Sequence, residues 1–99
     1  MTKKKKKTVP FDAAEYLDTP ESQAELITDA LESGDAAYIA QAIGVVARAR
    51  GMTAVAKDAG VTREALYRAL SANGDPRLST LVSVLDALGI QLSAVAKAA

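Results

Sequence analysis

The stretch from Thr53 to Leu70 constrains this chain most. Thr53 opens a short helical pattern carrying Val55, Ala56 and Ala59, and Gly60 stops it. After Val61, the Thr62 hydroxyl is placed to cap a second helix, with Leu66, Ala69 and Leu70 on its inner side. Gly60 is expected at positive φ, where a side chain would crowd the following carbonyl. Ala56 is small enough to let the two helices cross closely. Helices shorter than about 12–15 residues are marginal in water, so the pair needs a scaffold.

The flanking sequence supplies one, and it is helical. Thr19, Pro20 and Glu21 form a helix start, followed by an inward stripe of Ala24, Ile27 and Leu31 and a stop at Gly34. Asp35 caps a second helix that runs to about Arg50, with Ile39, Ile43, Val46 and Ala47 inward and Gly51 as its end. Ser71 to Pro76 is a turn signal. A last helix from about Leu78 to Leu88 places Leu78, Leu81, Val82, Leu85 and Leu88 on one face, before Gly89. Beyond it, Ile90, Leu92 and Ala94 alternate with Gln91, Ser93 and Val95, which fits a short strand, while the Ala-rich end fits a helix equally well. The expectation is one all-α domain, a bundle of about five helices with or without a short C-terminal strand.

Composition excludes much chemistry. The 99 residues include neither Cys nor His, which removes thiolate and imidazole metal sites and the Ser-His-Asp and Cys-His triads. No cofactor, metal or catalytic residue is expected, and the chain reads as non-enzymatic. No apolar run reaches the ~20 residues of a membrane span, and the basic start has no apolar segment behind it, so a cytoplasmic protein without membrane contact is expected.

A formal net charge of zero conceals segregation. Lys3 to Lys7 form a basic run within residues 1–10, which read as a flexible arm that either supplements a nucleic-acid surface or solubilises the chain. Residues 11–34 form an acidic segment with one helix. From Phe11 to Asp35 there are eight acids and no base. From Ala36 to Arg77 the balance reverses, six bases against three acids. Two surfaces for two partners would look like this, as would ordinary solvated helix faces.

A helix, a glycine-led turn and a capped helix make a helix-turn-helix, whose second member lies in the DNA major groove. Residues 35–99 then form the DNA-reading domain. Thr62, Arg63, Glu64, Tyr67 and Arg68 remain on the outer side of the second helix. Arg63 can bond bidentately to guanine, Glu64 can accept from cytosine, and Thr62 can meet a base or a phosphate. Tyr67 can reach a phosphate or a thymine methyl, and Arg68 suits a phosphate. Arg77 opens the last helix, where the dipole disfavours a cation and a phosphate contact would explain it. Arg48 and Arg50 suit the end of their helix with or without DNA.

The segment Thr62-Arg63-Glu64-Ala65-Leu66-Tyr67-Arg68-Ala69-Leu70-Ser71 resembles the signature of the addiction-module antidote proteins, a HigA-like branch of the phage-repressor-like (XRE, λ-repressor-type) regulators. Asp75-Pro76-Arg77-Leu78-Ser79-Thr80-Leu81, Ala87-Leu88-Gly89-Ile90 and Phe11-Asp12-Ala13-Ala14-Glu15-Tyr16-Leu17 are similar to the same family. The resemblance implies a λ-repressor-like fold and an antitoxin that neutralises a RelE/ParE-superfamily toxin and, as a homodimer, represses its own operon on double-stranded operator DNA. Such toxins are commonly basic, which gives the acidic segment a partner. Phe11, Tyr16 and Leu17 would be its apolar anchors, unless they fold back over the chain's own core. Many repressor-like proteins carry a phosphate-gripping Gln where Met52, Thr53 and Ala54 stand here, and only Thr53 can donate in its place. A stand-alone phage-type regulator and an interaction adaptor without DNA binding are the alternatives.

Overall fold

A computed structural model describes residues 17–98, and among them it contains five helices and no strand. Their boundaries follow local chemistry. The Thr19 hydroxyl accepts from the Ser22 N–H at 3.1 Å, starting α1 (Pro20–Ser33), with Pro20 in the first turn where its missing N–H is harmless. Asp35 accepts from the Ala37 N–H at 3.0 Å and starts α2 (Ala36–Arg50). Next come α3 (Met52–Ala59), α4 (Arg63–Ala69) and α5 (Leu78–Ala87). Thr53 does not open α3 as expected. The helix begins one residue earlier, at Met52, whose side chain is buried, and Gly51 precedes it with no side-chain cap.

All five helices share one core. Helix α1 packs on α2, and α3 touches α2, α4 and α5. Ile27, Ile43, Val46, Leu66, Leu70, Val84, Leu85 and Leu88 are fully buried. Two stripes are rotated from their expected positions. In α1, Ile27 faces inward with Gln23 and Ala30, whereas Leu31 is 40% exposed. In α5, Val84 joins Leu85 and Leu88 inside, leaving Leu78 at 73% and Val82 at 51% exposure. Apolar composition permits either phase of such a helix; packing against α2 and α3 selects one. The alternating residues after Gly89 form neither strand nor helix through residue 98, since no other described segment offers a strand to pair with.

Leu17 is 2% exposed and lies in this core. The surface-anchor expectation for Leu17 therefore yields to its alternative, that the residue covers the protein's own interior. Just beyond it, Gln23 is a buried polar side chain, and its partners close a circuit. The Gln23 amide donates to the Leu17 carbonyl at 2.9 Å and accepts from Arg50 Nε at 3.0 Å. Arg50 also donates through its terminal nitrogen to the Leu88 carbonyl. One guanidinium thus ties together the N-terminal segment, the end of α2 and the end of α5. On the other side of α1, the Tyr38 hydroxyl donates to Asp29 at 2.5 Å. That bond, then burial, then the carboxylate's charge raise the Tyr38 pKa above its ordinary value.

Removing Arg50 takes from the Gln23 amide oxygen and the Leu88 carbonyl the donor they share, while Gln23 keeps its bond to Leu17. Arg50→Ala is expected to destabilise the fold by about 1–3 kcal/mol in urea unfolding. Unaltered stability would show that water replaces the guanidinium without loss.

Candidate nucleic-acid interface

Helix α4 has only seven residues, so its surroundings must hold it in place. Gly60 adopts φ 77°, the left-handed conformation that a tight exit from α3 requires. The Thr62 hydroxyl then accepts from the Ala65 N–H at 3.0 Å. Leu66 and Leu70 anchor the inner side in the core. At its far end α4 presses on α2 at Gly44, where an added Cβ would lie 2.6 Å from the Leu70 carbonyl oxygen. Only a residue without a side chain permits that approach.

With the inner side fixed, Thr62, Arg63, Glu64, Tyr67 and Arg68 are all exposed. The outward set read from the sequence therefore lies on one accessible face. Its most ordered feature is a pair: the Arg63 guanidinium carbon stands 5.4 Å from the centre of the Tyr67 ring, and its terminal nitrogen donates to the Tyr67 hydroxyl at 3.4 Å. The Tyr67 hydroxyl, with a smaller contribution from the charge of Glu64, raises the Arg63 pKa above its ordinary value. An aromatic ring beneath a guanidinium restrains its plane, and the long bond to the Tyr67 hydroxyl engages one terminal nitrogen of Arg63. Tyr67 is thus engaged with Arg63 in the free protein.

The loop after α4 folds back tightly. The Gly74 N–H donates to the Ser71 carbonyl at 2.9 Å, and a Cβ at Gly74 would meet the Ala69 carbonyl oxygen at 2.1 Å. This reversal leads into Arg77, the residue preceding α5, which lines the same concavity as Arg68. Both line an open concavity of about 470 Å³, together with Ser71, Asn73, Asp75 and Thr80. Among the described residues Arg50 and Arg63 donate side-chain hydrogen bonds, whereas the guanidinium groups of Arg68 and Arg77 donate none. Thr53 is exposed in the first turn of α3 and does not line this concavity. Phe11, Tyr16 and the Lys3–Lys7 run lie outside the described residues. Sequence reasoning passed over Asn73 and Thr80, which it took as turn and helix, and over Gly44, whose isolated position inside a helical pattern was the available signal of a close contact. No group of carboxylates suited to a metal occurs among the described residues, and no described helix is long and apolar enough to cross a membrane.

A family model described as "Probable addiction module antidote protein" matches residues 7–96. The chain belongs to that family. An uncharacterised protein of Haemophilus influenzae is similar to it, 41% identical over 81 residues that span 82% of this chain and 84% of the relative. No solved structure matches. The match to an antidote family extends from the α4 face to the acidic N-terminal segment, so both belong to the region that defines the family.

Because α4 rests on α2 through Gly44, adding one methyl there should move it. Gly44→Ala is expected to lose about 1–3 kcal/mol of stability in urea unfolding, with shifted amide resonances along α4. Unchanged resonances from Arg63 to Leu70 would refute the close-approach argument.

Proposed function

We propose that this antidote neutralises a basic toxin of the RelE/ParE superfamily and represses its own operon as a homodimer, with α3 and α4 acting as a helix-turn-helix on operator DNA. The observation that carries the DNA half is the exposure of Arg63, Glu64, Tyr67 and Arg68 on α4 and of Thr62 at its cap, while Leu66 on the same helix is 0% exposed. Arg63, held over Tyr67, supplies guanine recognition, and Glu64 supplies cytosine recognition. Thr62, Arg68 and Arg77 contact phosphate, and Thr53 does so from α3. Tyr67 positions Arg63 rather than meeting DNA on its own. The same reading makes the protein a cytoplasmic regulator with no enzymatic role.

The toxin half rests on family membership and on charge. Glu21, Glu25, Asp29 and Glu32 are exposed on α1, and Leu31 is exposed among them. An acidic surface with an apolar centre complements a basic protein and steers its approach. Phe11 and Tyr16 precede this surface and are the remaining proposed anchors.

Arg63→Ala should weaken binding to the protein's own promoter by about 1–3 kcal/mol and change binding to random duplex far less, as read by fluorescence anisotropy. Equal losses on both duplexes would remove Arg63 from base recognition. Co-expression with each neighbouring gene tests the toxin half. One neighbour is expected to arrest growth alone and to be rescued by this chain; without such a neighbour, the antitoxin role is lost.

A further inference from the structure

The carbonyls that end α4 are satisfied unevenly. The Ser71 hydroxyl donates to the Arg68 carbonyl at 3.0 Å. The Leu70 carbonyl accepts no hydrogen bond among the described residues, although Leu70 is only 1% exposed. A buried carbonyl at a helix exit carries partial negative charge that calls for a counterpart. Arg48 of α2 offers one. It stands one turn after Gly44, and helical side chains lean back towards the N-terminus, so Arg48 covers the space a Gly44 side chain would fill. From the point that a Cβ at Gly44 would occupy, a terminal nitrogen of Arg48 is 3.6 Å away and the Leu70 carbonyl oxygen 2.6 Å. The missing side chain thus leaves a notch that a guanidinium and the end of α4 share. Arg50, two residues on, is committed to Gln23 and Leu88. Arg48 acts on the carbonyl by charge across the notch, without a hydrogen bond.

We propose that Arg48 is a positioning residue for base reading: its charge holds the exit of α4 on α2 and so fixes the angle at which Arg63 and Glu64 are presented. The proposal rests on the reading of α4 as the DNA-contacting helix. A seven-residue helix is about 10 Å long, and Arg48 lies at the end opposite Thr62 and Arg63. It therefore acts through α4 and not on a base. The Thr62 cap secures the start of the helix, and a helix secured at its start alone would pivot.

The test is binding of the full chain to its own promoter fragment and to random duplex, across about 50–200 mM salt. R48Q loses the charge, and it should lower the promoter-to-random affinity ratio about fivefold, the worth of one cation at a helix end. Its salt slope should match wild type, because Arg48 meets no phosphate. R48K restores the charge and should regain most of the ratio. In the free protein, R48Q should shift the Leu70 and Ser71 amide resonances more than R48K does. Arg50→Ala is the control for lost stability alone and should leave the ratio unchanged. A salt slope flattened by about one in R48Q would assign Arg48 to a phosphate instead. An R48Q ratio equal to wild type, or an Arg50→Ala ratio that falls as far, overturns the positioning role. If wild type shows no preference for its promoter, the reading of α4 fails and base positioning fails with it. The Leu70 and Ser71 shifts then still decide whether Arg48 holds the helix exit, and their absence would show that it does not.

Discussion

The orientation of α4 is imposed from outside the helix. Its seven residues cannot supply a stable helix in water, so capping, burial and close contact must do so together. The Thr62 cap fixes where it starts, and Leu66 and Leu70 fix which side faces inward. The bare backbone at Gly44 fixes how near it lies to α2. Because every one of these constraints acts on the inner side or the ends, the outer side stays free to carry Arg63, Glu64, Tyr67 and Arg68. A rigid scaffold holding a short, polar, outward helix is what groove recognition requires, since a mobile reader would lose on binding the entropy it retained when free.

The second organising element is polar. Gln23 and Arg50 join Leu17 to Leu88 across the molecule, so the segment leading into α1 is held against the core shared with α3, α4 and α5. Leu17 and Ile27 contribute to that core directly. The acidic exterior of α1 is consequently presented on the same rigid body as α4. A partner seated on α1 would approach a preformed surface, which lowers the ordering cost of the complex.

The sequence carried most of the element boundaries because they depend on local chemistry. Thr19, Asp35, Gly60 and Thr62 each act within a few residues of themselves, and each sits where its side chain or its lack of one predicts. The phase of the helices was less accessible. In α1 and α5 apolar residues outnumber the inward positions, and contacts with α2 and α3 decide that Leu31, Leu78 and Val82 face solvent. The Gln23–Arg50 link joins residues far apart in the chain, and no periodicity signals it. For the candidate interface, the outward set on α4 follows from subtracting the inward residues. That Arg68 and Arg77 line one concavity depends on the tight reversal at Gly74, which composition marks as a turn without giving its direction.

The central claim is that the exposed face of α4 meets duplex DNA. Amide chemical-shift mapping of the full chain with its own promoter fragment tests this directly. The largest changes are expected from Thr62 to Arg68, with a second group from Asn73 to Arg77. Changes confined to α1, or an unaltered spectrum at saturating duplex, would contradict it.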